Sequence, residues 1–405
     1  MSLSSRRLIS VKAAQDIIAR HTAFRKVCRI NLQEAFNRVL AQDIFANQDS
    51  PHFDKSFMDG YALNAKDIRR IPETLRISAQ IRAGQIPRGP LRKGTCAQIA
   101  TGAMLPKASD AVVIKEKARL VSEGIVAILH RPSSGDHIYR RGEFFKKGKR
   151  ILGQGAVINS AAIALLASQG ISKVLVFGAP RVALLSTGDE IADLGSRKKT
   201  AGVWNATAPM LEALLRAMGV RPRYLGLVLD QPGRMHKKIT QGLKYDILII
   251  TGAVSAGDFD FVPAVLKKAG VKVLFHKVAI RPGKPLLFGK CGRHLVFGLP
   301  GNPVSSWLDF FLFIKPVIQK MIGLDAGVAF EQGVLGKTIT HDPDRLSFWP
   351  ARVSFRGSTF KVDPLRYAGS ADLGALARAN ALALLTRHRR KFAKNSKIKF
   401  MRITQ

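Results

Sequence analysis

The sequence predicts an α/β multidomain protein organised around a mostly parallel sheet, and three observations predict it. Ile247-Leu248-Ile249-Ile250 is a short continuous apolar run, the pattern of a strand buried on both faces. From Pro180 onward such runs alternate with segments of helical apolar spacing, which implies parallel strands joined by helices, with binding loops at one sheet edge. From Leu75 to Leu129 and again after Gly323 the apolar runs are short and punctuated by turn residues, so β-rich modules lie on either side of the α/β part.

The elements follow in order. Val11, Ala14, Ile17 and Ile18 give helical spacing over Ser10 to His21, and Asn31 reads as the cap of a second helix, Leu32 to Leu40. Ser50 to Ala62 mixes Pro, Asp, Gly and aromatic residues without a period and reads as a functional loop. Short β runs at Leu75–Ile77, Cys96–Ile99, Ala111–Ile114 and Ile125–Leu129 make a small β domain. Asp136 to Gly170 returns to helix and loop and ends in an Ala-rich helix, Ile158 to Gln169.

The α/β part begins with a strand at Val182–Leu185 and the turn Ser186 to Glu190. A helix from Thr207 to Met218, a strand at Arg223–Val228 and a helix from Met235 to Leu243 precede the 247–250 strand. That strand runs into a small-residue turn, Thr251 to Gly257, then Asp258 and Asp260, then helical spacing at Val262, Val265 and Leu266. Strand, tight turn, acids and helix are the usual place for an anion and its metal in an open α/β sheet, although an ordinary loop with an acidic cap has the same pattern. A strand at Val271–Val278 leads into Arg281-Pro282-Gly283-Lys284-Pro285. Leu295–Phe297 leads into Gly298 to Pro303 and a helix from Val304 to Met321. Short strands then run to Gln405 as a basic β module.

Composition narrows the class. Lys+Arg 65 against Asp+Glu 28 gives a net charge of +37, which attracts anionic partners of any kind. The basic residues are spread along the whole chain and no nucleic-acid motif accompanies them, so a nucleic-acid partner is not expected. Cys28, Cys96 and Cys291 are far apart and form no CxxC, as expected in a reducing compartment. The N-terminus lacks a signal-peptide core and no apolar span is long enough for a membrane helix; the greasiest, Trp307 to Ile318, carries Asp309 and Lys315. A cytoplasmic protein with no membrane partner is the expectation.

Four signatures converge in order: Ser56-Phe57-Met58-Asp59-Gly60-Tyr61-Ala62, Ala100 to Pro106, Ser186-Thr187-Gly188-Asp189-Glu190, and Pro282-Gly283-Lys284-Pro285 with Leu299-Pro300-Gly301-Asn302-Pro303. The ordered set closely resembles the molybdopterin molybdenumtransferase family, meaning bacterial MoeA and the gephyrin E domain, over nearly the whole chain. The resemblance implies an elongated helical domain I (residues 1–50 and 138–178) interrupted by a β domain II (51–137). It further implies a molybdopterin-binding α/β domain III (179–325) and a small β-barrel domain IV (326–405). It also implies a homodimer whose cleft lies between domain III of one subunit and domains I and II of the other. Molybdopterin adenylyltransferase and later cofactor-biosynthesis proteins are the implied partners. The implied reaction takes adenylylated molybdopterin and molybdate, releases AMP and leaves molybdenum on the dithiolene, with magnesium assisting.

The residues suit that chemistry. Phosphates and molybdate are anions, and Lys277, Arg281 and Lys284 lie on one strand-loop to receive them. A carboxylate about 4 Å from a phosphate oxygen repels it by roughly 1–4 kcal/mol across surface dielectrics, and an intervening magnesium ion turns this into attraction. Glu190, Asp230 and Asp260 are therefore the expected metal-facing residues, with Asp59 and Thr101 offered across the dimer. Thr187, Gly188, Gly252, Ser255, Gly257, Arg281, Pro300, Gly301, Asn302 and Ser370 are the expected cofactor contacts, and Arg352 matches a family polar position loosely. Asp230 also opens Asp230-Gln231-Pro232-Gly233, a good turn by itself.

The chain departs from the family pattern at Phe144, where an acid is usual, and at Ala253, where Gly is usual. Arg281 replaces a Lys and keeps its charge, and Phe57 replaces a small residue beside Asp59. A phenyl ring cannot ligate metal or accept a proton. Phe144 and Ala253 therefore leave a second reading open: a catalytically impaired paralogue that binds molybdopterin as a carrier or scaffold.

Overall fold

The computed structural model describes residues 8–198, 200–252 and 262–403. They fall into two compact units, formed by the described parts of Asn31–Phe36 with Gln42–Val174, and of Met1–Ile30 with Asn37–Ala41 and Leu175–Gln405.

The first unit holds a six-stranded sheet in the order Ala111–Ile114, Gly60–Leu63, Thr95–Ile99, Glu73–Ile81, Ile125–Ile128, Ala118–Ser122. Alternation puts Ala62, Ala97, Ile99 and Val112 in one apolar cluster and Leu63, Cys96, Ala111 and Val113 in another. Gly60–Leu63 corrects the expectation of a loop over Ser50 to Ala62. It is paired on both sides, by Thr95–Ile99 and Ala111–Ile114, and is too short to show a period in sequence. The Ala-rich helix is present as Ser160–Ser168, its first turn capped by Asn159 at 2.8 Å from the Ala162 amide.

In the second unit the N-terminal helix is Val11–His21, with Ser10 accepting from the Ala13 amide. The expected helix Leu32 to Leu40 is reduced to a single 3₁₀ turn, Leu32–Glu34, which belongs to the first unit. Nine residues repay helix nucleation poorly, Asn37 turns the chain at φ +59°, and Leu40 bridges instead to Val176. All three cysteines are free.

The central sheet of this unit runs in the order Arg223–Val228, Val182–Thr187, Ile247–Gly252, His294–Pro300, Leu287–Cys291, Lys272–His276. The first four strands are mutually parallel, and Leu287–Cys291 runs antiparallel to both of its neighbours, so it alone is reversed and the sheet is mostly parallel, as expected. The Ile247–Ile250 run is buried throughout and alternates between the two faces. Ile247 and Ile249 join the cluster that holds Leu211, Leu215 and Phe310, whereas Leu248 and Ile250 join Met235, Ile239 and Leu266. Helices therefore cover both faces. The long helix is present as Pro303–Asp309, a π-helical turn Phe310–Ile314 and Lys315–Met321 in succession.

The C-terminal region closes into a five-strand barrel. Leu346–Arg356, Thr359–Pro364, Glu331–Leu335, Lys397–Arg402 and Ala381–Leu385 pair in that order, and the last pairs back to the first. Closure removes free edges, and Leu335, Val362, Leu385 and Phe400 fill the interior. No helix among the described residues is long and apolar enough to cross a membrane.

Candidate active site

In the second unit the parallel strands bring their C-terminal ends into line. Thr187 is opposite Val228, Ser186 opposite Thr251, and Gly252 opposite Pro300. The expected contacts Thr187, Gly188, Gly252, Pro300, Gly301 and Asn302 thus share one sheet edge, the usual position for a ligand in an open α/β sheet. Gly252 and Gly301 are neighbours there: a Cβ on Gly301 would make an ordinary 3.5 Å contact with the Gly252 Cα. Thr207 Oγ1 donates to the Gly301 carbonyl at 3.2 Å, and Ser306 Oγ donates to the Pro300 carbonyl at 2.6 Å. Asn302 is exposed and occupies the N-cap position of Pro303–Asp309 without a side-chain cap bond. Ser370 joins this loop through its backbone, its carbonyl accepting from the Val304 amide at 3.2 Å.

Asp189, Glu190 and Asp230 lie at the ends of the neighbouring strands Val182–Thr187 and Arg223–Val228. Asp189 Oδ1 accepts from the Asp230 amide at 3.1 Å. Burial, then the negative charges of Asp189 and Glu190, push the Asp230 carboxyl above the ordinary carboxylate range. Its Oδ1 is buried without a hydrogen-bond partner among the described residues. A buried acceptor beside like charges is stabilised by a cation, so the donor set fits a hard divalent ion. No group of three or more His, Cys, Asp or Glu arranged to hold a metal occurs among the described residues, so these carboxylates do not form a complete cage. Magnesium is commonly held by one or two carboxylates with substrate phosphates completing its shell. The other expected residues of this loop, Ala253, Ser255, Gly257, Asp258 and Asp260, lie outside the described residues.

Beneath this edge lies a polar cluster that sequence reasoning missed. Asn205 Nδ2 donates to Ser186 Oγ (3.0 Å) and Asp193 Oδ1 (2.8 Å), and Tyr224 OH donates to Asp193 Oδ1 at 2.7 Å. Asn205 also accepts from the Ala208 amide at 3.1 Å and donates its own amide to Ala192 at 2.8 Å. It therefore ties the 187–192 segment to the following helix. An Asn just before a helical run was the available signal.

The cations are unequal. Lys284 is exposed on its loop, and its carbonyl accepts from the Val278 amide at 2.9 Å. Lys277 sits just beyond the strand Lys272–His276 at φ +86°, a conformation costing about 1–3 kcal/mol for a side-chain-bearing residue. Arg281 is held by Asp342 at 2.7 Å, and Ile280–Arg281 pairs with the barrel strand Leu346–Arg356. It links sheet and barrel instead of presenting an unpaired charge. Arg352 is exposed on the barrel strand opposite Asp363.

In the first unit Asp59 and Thr101 meet. Asp59 Oδ1 accepts from the Thr101 amide at 2.7 Å and from its hydroxyl at 2.8 Å. These two donors, the amide first, hold the Asp59 carboxyl below the ordinary range. Thr101→Val removes the hydroxyl donor and keeps the amide. It is expected to raise the Asp59 pKa toward the usual value, read by carbon NMR of the side-chain carboxyl; an unmoved titration would assign the depression to other groups.

Three family models match the chain in succession. Residues 9–170 match the model of the MoeA N-terminal region (domain I and II), 183–320 that of a probable molybdopterin binding domain, and 332–403 that of the MoeA C-terminal region (domain IV). A solved molybdopterin biosynthesis MoeA protein from Pyrococcus horikoshii shares 25% identity and a TM-score of 0.84, covering 98% of this chain and 100% of that one. A molybdopterin-binding α/β fold carried between MoeA-type N- and C-terminal regions is therefore the class of protein. A molybdopterin molybdenumtransferase of Nostoc sp. is 34% identical over 371 residues, 88% of this chain and 84% of the relative. One of Haemophilus influenzae is 37% identical over 295 residues, 73% of this chain and 72% of the relative. The chain belongs to the molybdopterin molybdenumtransferase (MoeA) family.

Proposed function

We propose that this chain is a cytoplasmic enzyme that inserts molybdenum from molybdate into adenylylated molybdopterin and releases AMP. The reading rests on one observation above the rest: the buried Asp230 Oδ1, without a hydrogen-bond partner among the described residues, beside Asp189 and Glu190 at the sheet edge that carries Gly252 and Gly301. The small-residue edge admits a ligand to backbone groups, Lys284 supplies positive charge for phosphate or molybdate, and the carboxylates face a cation.

Glu190 and Asp230 would hold magnesium, with Asp260 as the proposed third ligand from outside the described residues. When bound, magnesium supplies Lewis-acid neutralisation of phosphate charge. Asp59, kept ionised by Thr101, is an acceptor for a proton or a substrate donor. A homodimer is proposed with this reading, as are the contribution of Asp59 and Thr101 across it, an adenylyltransferase as supplier of the substrate, and the four-domain division of the chain.

Asp230→Asn and Lys284→Ala are each expected to lower the AMP-release rate about 10²-fold or more, the scale for losing one charged stabilising group. Asp230→Asn should also raise the magnesium concentration needed for half-maximal release. Variants with unchanged rates and unchanged magnesium dependence would remove this assignment.

A further inference from the structure

The two aromatic departures from the family pattern, Phe57 and Phe144, are not independent. Both pack against Tyr139, with ring centroids 5.1 Å apart in each pair. The row is assembled by local pairing: Lys55–Ser56 pairs with Ile138–Tyr139, the Phe57 amide donates to the His137 carbonyl at 3.1 Å, and the Phe144 amide donates to the Ser50 carbonyl at 2.9 Å. The rings are not tucked into a core. Phe57 is 40% exposed and Phe144 51% exposed, so aromatic surface is left to solvent at both ends of the row. Lys55 Nζ stands 5.8 Å from the Tyr139 centroid and makes no ion pair among the described residues. Phe57 precedes by two residues the Asp59 that Thr101 holds.

We propose that Phe57, Tyr139 and Phe144 form a contact for the planar nitrogen heterocycle of the phosphorylated substrate, with Lys55 beside its phosphate. This deepens the enzymatic reading above and rests on it. An exposed phenyl face is sequence-tolerant toward any flat heterocycle, and a neighbouring ammonium selects one that carries phosphate. A phosphorylated heterocycle is the occupant the chemistry favours, because Lys55 stands over the Tyr139 ring and Lys146 and Lys147 follow Phe144 by two and three residues. At Phe144 the chain thus offers a ring surface in place of the acid usual in the family.

The substrate has two such heterocycles, adenine and pterin, and the experiment separates them. Equilibrium binding of AMP and of a free pterin is measured calorimetrically on the full chain, as wild type, Phe57→Ala and Phe144→Ala. Each truncation is expected to weaken one of the two ligands about tenfold, with melting temperature and oligomeric state unchanged; the ligand affected identifies the ring that stacks. Affinities within twofold of wild type for both ligands overturn the contact, as does a change of oligomeric state without loss of affinity. AMP release by the wild type alongside unaltered ligand affinities overturns the aromatic contact alone. Wild-type protein that binds neither heterocycle and releases no AMP overturns the enzymatic reading with it.

Discussion

Gly252→Ala is expected to destabilise the protein by roughly 3 kcal/mol or more, well above the typical effect of a point substitution. Gly252 ends the central strand at φ +112°, a region L-residues rarely enter, and a Cβ there would lie 2.1 Å from the Thr187 carbonyl oxygen. That oxygen belongs to the backbone of the adjacent strand Val182–Thr187, so it cannot swing aside as a side chain would. Relief requires separating two strands of a sheet buried on both faces, and that separation disturbs Thr187 and Gly188 at the ligand edge. Gly301→Ala is the control. Its Cβ would meet the Gly252 Cα at 3.5 Å, an ordinary contact, and the expected loss is under about 1 kcal/mol. Denaturant midpoints of the two variants check the contrast; equal losses would mean that close approach at Gly252 is not what sets the cost.

Asp309→Asn is expected to stabilise the protein increasingly as pH rises. Asp309 is 0% exposed, both carboxylate oxygens lack hydrogen-bond partners among the described residues, and Gly283 packs so closely that a Cβ there would sit 2.6 Å from Oδ1. Burial raises its pKa well above the usual value. The folded state therefore binds the proton more tightly than the unfolded chain. The stability this confers is fully present below the unfolded pKa near ~3.9 and is lost as pH rises from there through the raised folded value. Over that window wild type falls behind the Asn variant by about 1.4 kcal/mol per pH unit, the slope for one proton. Urea titrations of both proteins from acidic to mildly alkaline pH test this; parallel curves would place a partner on Asp309. Gly283 belongs to the Lys284 loop, so the same carboxyl lies behind a proposed phosphate contact.

Much of the fold was legible because the signals are local. Four consecutive apolar residues at 247–250 are buried on both faces, as such a run requires. Strand Leu287–Cys291 was missed because it follows directly on a Pro-rich loop and contains Gly289, and its identity comes from pairing with both neighbours. The helix expected from Leu32 to Leu40 failed for the opposite reason: its apolar spacing was real, but Leu40 serves a bridge to Val176.

At the site, residue types were legible and their commitments were not. Asp59 and Thr101 are 42 positions apart, yet form two hydrogen bonds, which only the sheet's order brings about. Arg281 looked like a free cation, and Asp342, 61 positions away, claims it. Asp309 looked like a polar break in a greasy helix; its isolation inside the core has no local signature.

The central claim is the reaction itself. Single-turnover AMP release from adenylylated molybdopterin, with and without molybdate and with and without magnesium, tests it most directly. The account predicts release that requires both ions, with Phe144 in place. Tight binding of the substrate with no AMP released under any of these conditions would contradict it and make the chain a molybdopterin-binding protein instead.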